Sequence, residues 1–432
     1  MFVYYLFTTL ATFGALFYAY FAWTFSHWKR KNVPQVQPRF PLGTSENPFA
    51  RTEFIGHRIK RNYDEFKAKG HKHAGLYFMI SPSYLPIEPE YIKNIMCKDF
   101  RFFTDRGTYS NVKSDPLSGH LFNLEGEKWK SLRYKLTPTF TSGKMKMMFP
   151  SLVQCGKQLM DAMRGRHGPI DARKSVGAVV ALANRKLALL LNIVLTPRHI
   201  SDFFINLVKD TVKYRRDKGV VRKDFMQILM DLQDENEFTV EEMAANTFVF
   251  FLAGFETSST TMSFSLFELA RNPKIQETVR DEIDSVLKKH GNFTYEALGE
   301  MKYLNQVVDE TLRMYPPGAV VSRVCVEDYK MPDAGVTLER GARILIPIYA
   351  IHHDPDYYPN PDVFDPERFS EENVGKRHSC VYLPFGAGPR ICIGLRFGLM
   401  QTKLGLAMLI RNFQFSLSTK MKLPIEIDPT IS

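Results

Sequence analysis

Cysteine is scarce: five residues in 432, Cys97, Cys155, Cys325, Cys380 and Cys392, odd in number, with no Cys-x-x-Cys. A disulfide scaffold is thereby excluded, and no structural zinc site is indicated. Acidic residues are outnumbered, 46 Asp and Glu against 57 Lys and Arg for a net charge of +11, and none precedes Glu46. Repeats and low-complexity tracts are also missing, and 26 Gly with 25 Pro match a globular average, so collagen-like and disordered classes are out. The positive surplus suits an acidic partner, an anionic membrane surface or nucleic acid, but no nucleic-acid motif accompanies it.

Residues 1–26 carry no Asp, Glu, Lys, Arg or His. As a helix rising about 1.5 Å per residue they exceed the ~30 Å hydrocarbon core, which predicts a membrane anchor. A cleaved signal peptide would have a basic start and a shorter apolar run. His27, Lys29, Arg30, Lys31 and Arg39 follow at once, so the positive-inside bias places the remaining chain in the cytosol. Pro34, Pro38 and Pro41 predict a stiff spacer over 27–45 that separates the anchor from one large domain, 46–432.

Helical periodicity dominates that domain, with short strand-like runs at Gly75 to Ile80 and Arg343 to Ile348, so the fold class is mainly α with small β-sheets. Thr239-Val-Glu-Glu offers a capping box for a helix running to Pro273. Its middle, Phe248 to Thr261, is apolar or small all round and predicts a helix buried in the interior. Within it, Ala253-Gly254-Phe255-Glu256-Thr257 sets an acid and a hydroxyl beside a Gly that costs ~1 kcal/mol against Ala. Either something approaches the backbone there, or Gly254 serves a helix crossing and Thr257 bonds its i−4 carbonyl. A second helix, Tyr303 to Tyr315, carries Glu310 and Arg313 on one face, and Arg368 downstream could complete a buried network. His352 and His353 fit a structural loop better than a metal site.

Pro384-Phe-Gly-Ala-Gly-Pro-Arg-Ile-Cys-Ile-Gly394 leads into an amphipathic helix. A dinucleotide reading fails, because Ile391 stands where a third Gly is required. Cys392 at a helix start is expected to favour a thiolate, the glycines let backbone lie flat against a ligand, and Arg390 supplies a cation. Those are the needs of an axial thiolate under haem.

With these residues the sequence resembles the cytochrome P-450 family of haem-thiolate monooxygenases, of the insect microsomal family-six type. Five motifs stand in the family's order: Trp129-x-x-x-Arg133, Ala253-Gly254-x-Glu256-Thr257, Glu310-x-x-Arg313, Pro366-Glu-Arg-Phe369 and Phe385-x-Gly-x-Arg390-x-Cys392-x-Gly394. The resemblance implies haem b with Cys392 as the iron's proximal ligand, Phe385 over its sulfur, and Trp129, Arg133, Arg323 and Arg390 on the propionates. It makes Thr257 and Glu256 the oxygen-binding and proton-relay residues beside Ala253 and Gly254, and Glu310, Arg313 and Arg368 a structural triad. It further implies a monomer on the cytosolic face of the endoplasmic reticulum, a small lipophilic substrate, and electrons from NADPH through a flavoprotein reductase, with cytochrome b5 as a second donor. Lys128, Lys130 and Lys135 are expected to face that reductase.

Two departures qualify the resemblance. Asp171 to Asn184 jumps across about three helices that roof the substrate pocket in the family, and the chain is expected to stop before a last hairpin. The alternative is therefore a haem-containing binding or sequestering protein with impaired catalysis.

Overall fold

The computed structural model describes residues 1–45, 53–163, 185–190, 192–234, 238–419, 421 and 423. Asp171 to Asn184, where the missing block is expected, and the C-terminal residues from 424 on lie outside them.

The chain opens with α1 (Phe2–Phe25), long and apolar enough to cross a membrane. Then come α2 (Ile55–Ala68), the hairpin β1 (His73–Phe78) and β2 (Ser81–Pro86), α3 (Gly126–Leu136), α4 (Ser142–Met163), α5 (Arg198–Lys218) and α6 (Val240–Arg271). After these follow α7 (Pro273–His290), α8 (Lys302–Met314), β3 (Val321–Val324), β4 (Arg343–Ile346) and α9 (Leu395–Asn412), with shorter turns between. The four strands form one sheet ordered β1-β2-β4-β3; β2 and β4 are parallel, with Tyr84 beside Ile344, and the outer pairs are antiparallel.

The capping box at Thr239 forms as the sequence predicts: Glu242 N–H donates to Thr239 Oγ1 (3.1 Å) and Thr239 N–H to Glu242 Oε2 (2.8 Å). From there α6 runs 32 residues, about 48 Å. It crosses α9 closely at Gly405, where an added Cβ would lie 2.5 Å from Met262 Sδ. The helices α4, α6, α7, α8 and α9 share one core, and the sheet shares another with α2.

Two expectations are corrected. The spacer does not hold anchor and body apart: Trp28 is 1 % exposed in the sheet core, its Nε1 donating to Leu76 O (3.0 Å). Gln35 pairs with Gly75, and Gly43 with Phe78. Phe40 packs on Phe17 and Phe21, so the last turns of α1 rest on the body through aromatic edges. Prolines here fix a path along the sheet edge, where absent N–H donors cost no ladder bond.

The middle of α6 is not buried all round either. Phe251 and Phe255 are each 63 % exposed, and Leu252, Ala253, Glu256 and Thr257 are exposed too. Apolar composition was the ground for the interior reading, but the cover is one-sided: Phe204 of α5 packs on Phe248 and Phe251, Phe140 and Phe225 pack on Phe250, and Ser258 and Thr261 are buried. Composition reports what a helix would bury, and the neighbours that would bury it are a separate matter.

Candidate functional site

Cys392 lies three residues ahead of α9. Its N–H donates to Phe385 O (2.9 Å), which closes the loop on itself, and Gly394 caps the helix. Phe385 sits half-buried at the edge of the helical core. Cys392 has accessible area, yet protein surrounds it closely enough that burial pushes its thiol up, against the Gly394 amide and the charges of Arg106 and Arg133. The lowering expected from the helix start is present in the Gly394 amide but is outweighed by burial.

The glycines before it have a job other than lying against a ligand. Gly388 (φ +69°) passes so close to the π-helical turn Asn94–Lys98 that an added Cβ would fall 1.8 Å from Met96 O. No side chain fits there, and the left-handed backbone disfavours one anyway. The loop is thereby pressed onto that turn.

Cations gather at the same place. Arg390 is buried, donates to Leu124 O (2.7 Å), and has its Cζ 4.2 Å from the Trp129 ring centroid. Arg323, on β3, is 1 % exposed and donates to Ser322 O (2.8 Å). Arg106 joins them, donating to Arg390 O (3.4 Å) and lying 3.9 Å over the Phe122 ring. Burial, then Arg106, depresses both Arg323 and Arg390 to about 9, and burial brings Arg106 to about 10. Burial likewise lowers Arg133, which interacts with the Cys392 charge. Guanidinium groups stay protonated in proteins, so these shifts express a shortage of negative charge. Asp105 answers Arg390 only from 3.9 Å. Arg323 Nε and Arg390 Nε and Nη1 are buried without a hydrogen-bond partner among the described residues.

Sequence reasoning missed Arg106. It belongs to no spaced pattern; its one signal is the following Gly107 (φ +69°), where an added Cβ would lie 2.4 Å from Val324 Cγ2 and which brings that loop onto β3.

On α6, Thr257 Oγ1 donates to Ala253 O (2.6 Å), the local bond of the plainer reading. The helix-crossing half of that reading fails: an added Cβ at Gly254 would meet nothing within 4 Å. Behind the cysteine loop, Glu310 and Arg313 are fully buried and bidentate, Nε to Oε2 at 2.7 Å and Nη2 to Oε1 at 2.9 Å. Arg313 also donates to His352 O (2.8 Å) and Pro361 O (2.7 Å), and Arg368 Nε reaches Glu310 Oε1 at 3.4 Å. His352 Nε2 accepts from Leu383 N–H (2.8 Å), fixing the start of the cysteine loop, while its Nδ1 faces Arg313 O (3.2 Å). Lys128 and Lys130 are exposed, Lys130 within 3.6 Å of Glu127, whereas Lys135 lies 5.6 Å over Phe238.

The cytochrome P450 family model matches residues 47–183 and 182–432. The match thus comes in two pieces that meet inside Asp171 to Asn184. "Probable cytochrome P450 6a14" of Drosophila melanogaster is 39% identical over 469 residues, covering 93% of this chain and 91% of the relative. Cytochrome P450 6a8 of Drosophila melanogaster is 39% identical (94% and 91% covered), and cytochrome P450 6A1 of Musca domestica 38% (94% and 91%). Haem held by a cysteine thiolate is the mark of that family. From the matched span and these relatives, the chain belongs to the cytochrome P450 family of monooxygenases, in its insect family-six branch.

Proposed function

We propose that the protein is a membrane-anchored monooxygenase that inserts one atom of dioxygen into small lipophilic substrates, at the cytosolic face of the endoplasmic reticulum. Its electrons come from NADPH through a flavoprotein reductase, with cytochrome b5 as a second donor. The observation that carries this reading is the set of three unpartnered guanidinium nitrogens on Arg323 and Arg390, with Arg106 and Arg133 beside them and Cys392 close by. Two carboxylates and a thiol-seeking metal on one flat group answer that arrangement, so the residues fit haem.

When bound, haem supplies the oxygen activation that no side chain provides. Cys392 would hold the haem iron through its thiolate sulfur. Arg106, Arg133, Arg323, Arg390 and Trp129 would hold the propionates, through charge-assisted bonds worth about twice a neutral one. Phe385 shields the sulfur, and Gly394 ends the loop. Thr257, whose hydroxyl donates to Ala253 O, would supply a hydrogen-bond donor beside the group, and Glu256 would pass protons from solvent. Glu310, Arg313 and Arg368 hold the loop from behind, and Lys128 and Lys130 face the reductase.

A second reading, a haem-holding binder with weak turnover, is favoured by one observation, the exposure of Phe251 and Phe255 together. An open site admits water and the side reactions that a closed one prevents. A reduced carbon monoxide difference spectrum, measured with NADPH consumption and product formation, separates the two. A thiolate-type band lost in Cys392→Ser, with product formed per NADPH, is the expected result; a band with NADPH lost only to peroxide selects the second reading. A normal thiolate band in Cys392→Ser overturns the ligand assignment.

A further inference from the structure

Beyond the haem site, two cysteines that the reaction does not use stand together at its edge. Cys97 is exposed at the end of the π-helical turn Asn94–Lys98, a form that recurs at functional sites. Cys380 is 2 % exposed, in the stretch that leads into the Cys392 loop, and its thiol lies within hydrogen-bonding reach of the Cys97 thiol. The two segments are fastened beside the pair. Cys380 N–H donates to His378 Nδ1 (3.1 Å), and His378 Nε2 meets Glu90 Oε2 at 3.3 Å. Glu90 in turn holds Lys98, next to Cys97, and Lys93 at 3.7 Å. On the other side, Gly388 abuts Met96 O, and an added Cβ there would also lie 3.4 Å from Cys97 Cα.

We propose that Cys97 and Cys380 are a redox dithiol, which hydrogen peroxide converts to an intrachain disulfide that ties residues 94–98 to the stretch entering the Cys392 loop. The chemistry divides by exposure. The Cys97 thiolate attacks the peroxide O–O bond, becoming a sulfenic acid and releasing water. The Cys380 sulfur then forms the S–S bond and expels the sulfenic oxygen as a second water. Two thiols lose two electrons and two protons in all, and one peroxide becomes two waters. Burial pushes the Cys380 thiol up to about 11, which keeps it from reacting first and reserves it as the resolving partner. Hydrogen peroxide is also what an oxygenase releases when protonation goes astray, so a product of misfiring would act on the loop that carries the metal ligand. That consequence rests on the function proposed above; the disulfide itself does not.

The two other thiols supply controls. Cys155 is exposed without a thiol beside it, and Cys325 is buried, its Sγ 2.8 Å from Glu327 O. The full-length holoprotein in detergent is titrated with hydrogen peroxide, denatured, alkylated with N-ethylmaleimide and mapped by peptide mass spectrometry. The expected result is loss of both the Cys97 and Cys380 adducts in step, a linked peptide two hydrogens lighter than the pair, and recovery of both by dithiothreitol. Cys97→Ser should leave Cys380 fully alkylated, and Cys380→Ala should send Cys97 on to the sulfinic acid that Cys155 also forms. Hydrogen exchange of residues 385–394 should slow several-fold on oxidation in the wild type and not in Cys97→Ser. Oxidation of Cys97 with Cys380 still alkylated overturns the pair, and unchanged exchange overturns its hold on the loop. Because linkage is read from peptides, a chain that forms the bond but shows no thiolate spectrum marks failure of the haem reading alone.

Discussion

Deleting the Glu310 carboxylate should come close to unfolding the protein. The side chain has no exposure, and it accepts from Arg313 Nε, Arg313 Nη2 and Asp365 N–H (3.0 Å) while facing Arg368 Nε. In Glu310→Ala the Arg313 guanidinium keeps only His352 O and Pro361 O, and remains a buried charge without a counter-charge. Breaking a buried pair from one side costs about 3–5 kcal/mol. The orphaned Asp365 amide adds about 1–3 kcal/mol. The sum rivals a typical total stability of about 5–15 kcal/mol. Glu310→Gln keeps the volume and one oxygen acceptor, and should lose about half as much. Urea unfolding followed by tryptophan fluorescence, with Trp28 as a buried reporter, measures both. A Glu310→Ala cost below about 1 kcal/mol, the range of an exposed pair, would refute the reasoning.

Burial raises Asp309 to about 6, against Tyr382 Oη–H, which donates to its Oδ1 (2.9 Å), and the charge of Lys403; Asn305 donates to Oδ2 (2.7 Å). A folded pKa above the unfolded value gives stability that is complete below about pH 4 and lost as pH rises through 6, so Asp309→Asn should erase roughly 2–3 kcal/mol of fall across that window. An unchanged pH slope in the variant would remove Asp309 as its source. Phe251→Ser with Phe255→Ser should change folding stability by no more than about 0.5 kcal/mol each while reducing self-association in sedimentation, since both rings are mostly wet. A loss of 2 kcal/mol or more would mean the rings are covered. Gly388→Ala should abolish the thiolate-type spectrum and Gly386→Ala weaken it less, because the added methyl meets Met96 O at 1.8 Å in one case and Met96 Cε at 3.7 Å in the other. Equal spectra would show that the loop does not depend on that contact.

Short patterns with fixed spacing were legible from the sequence. Glu310 and Arg313 sit one turn apart, so helix geometry alone puts them on one face, and the capping box at Thr239 is read the same way. What escaped depends on segments distant in the chain. Arg106 becomes part of the cluster only because its loop crosses Val324, over 200 positions later. The need for glycine at 388 lies in the Met96 carbonyl, which nothing in residues 384–394 announces. Trp28 reads as part of the spacer until Gly75, nearly fifty residues on, is seen to have left it a socket. The middle of α6 shows the converse: its composition states a need for cover, but cover is supplied by other elements.

That socket has a mechanical consequence. An added Cβ at Gly75 would fall 2.2 Å from Trp28 Cγ, so the indole seats directly on bare backbone, three residues after α1 ends. Whatever holds α1 therefore grips the body by a short, stiff shaft, with almost no chain left to act as a swivel. One residue inserted between Phe25 and Trp28 would turn the helix by about 100° relative to the sheet and lift it about 1.5 Å. With α1 in a bilayer, the heading of the body would be set by the phase of one helix against one tryptophan, and an anchor borrowed from another protein would have to be joined in register to keep it.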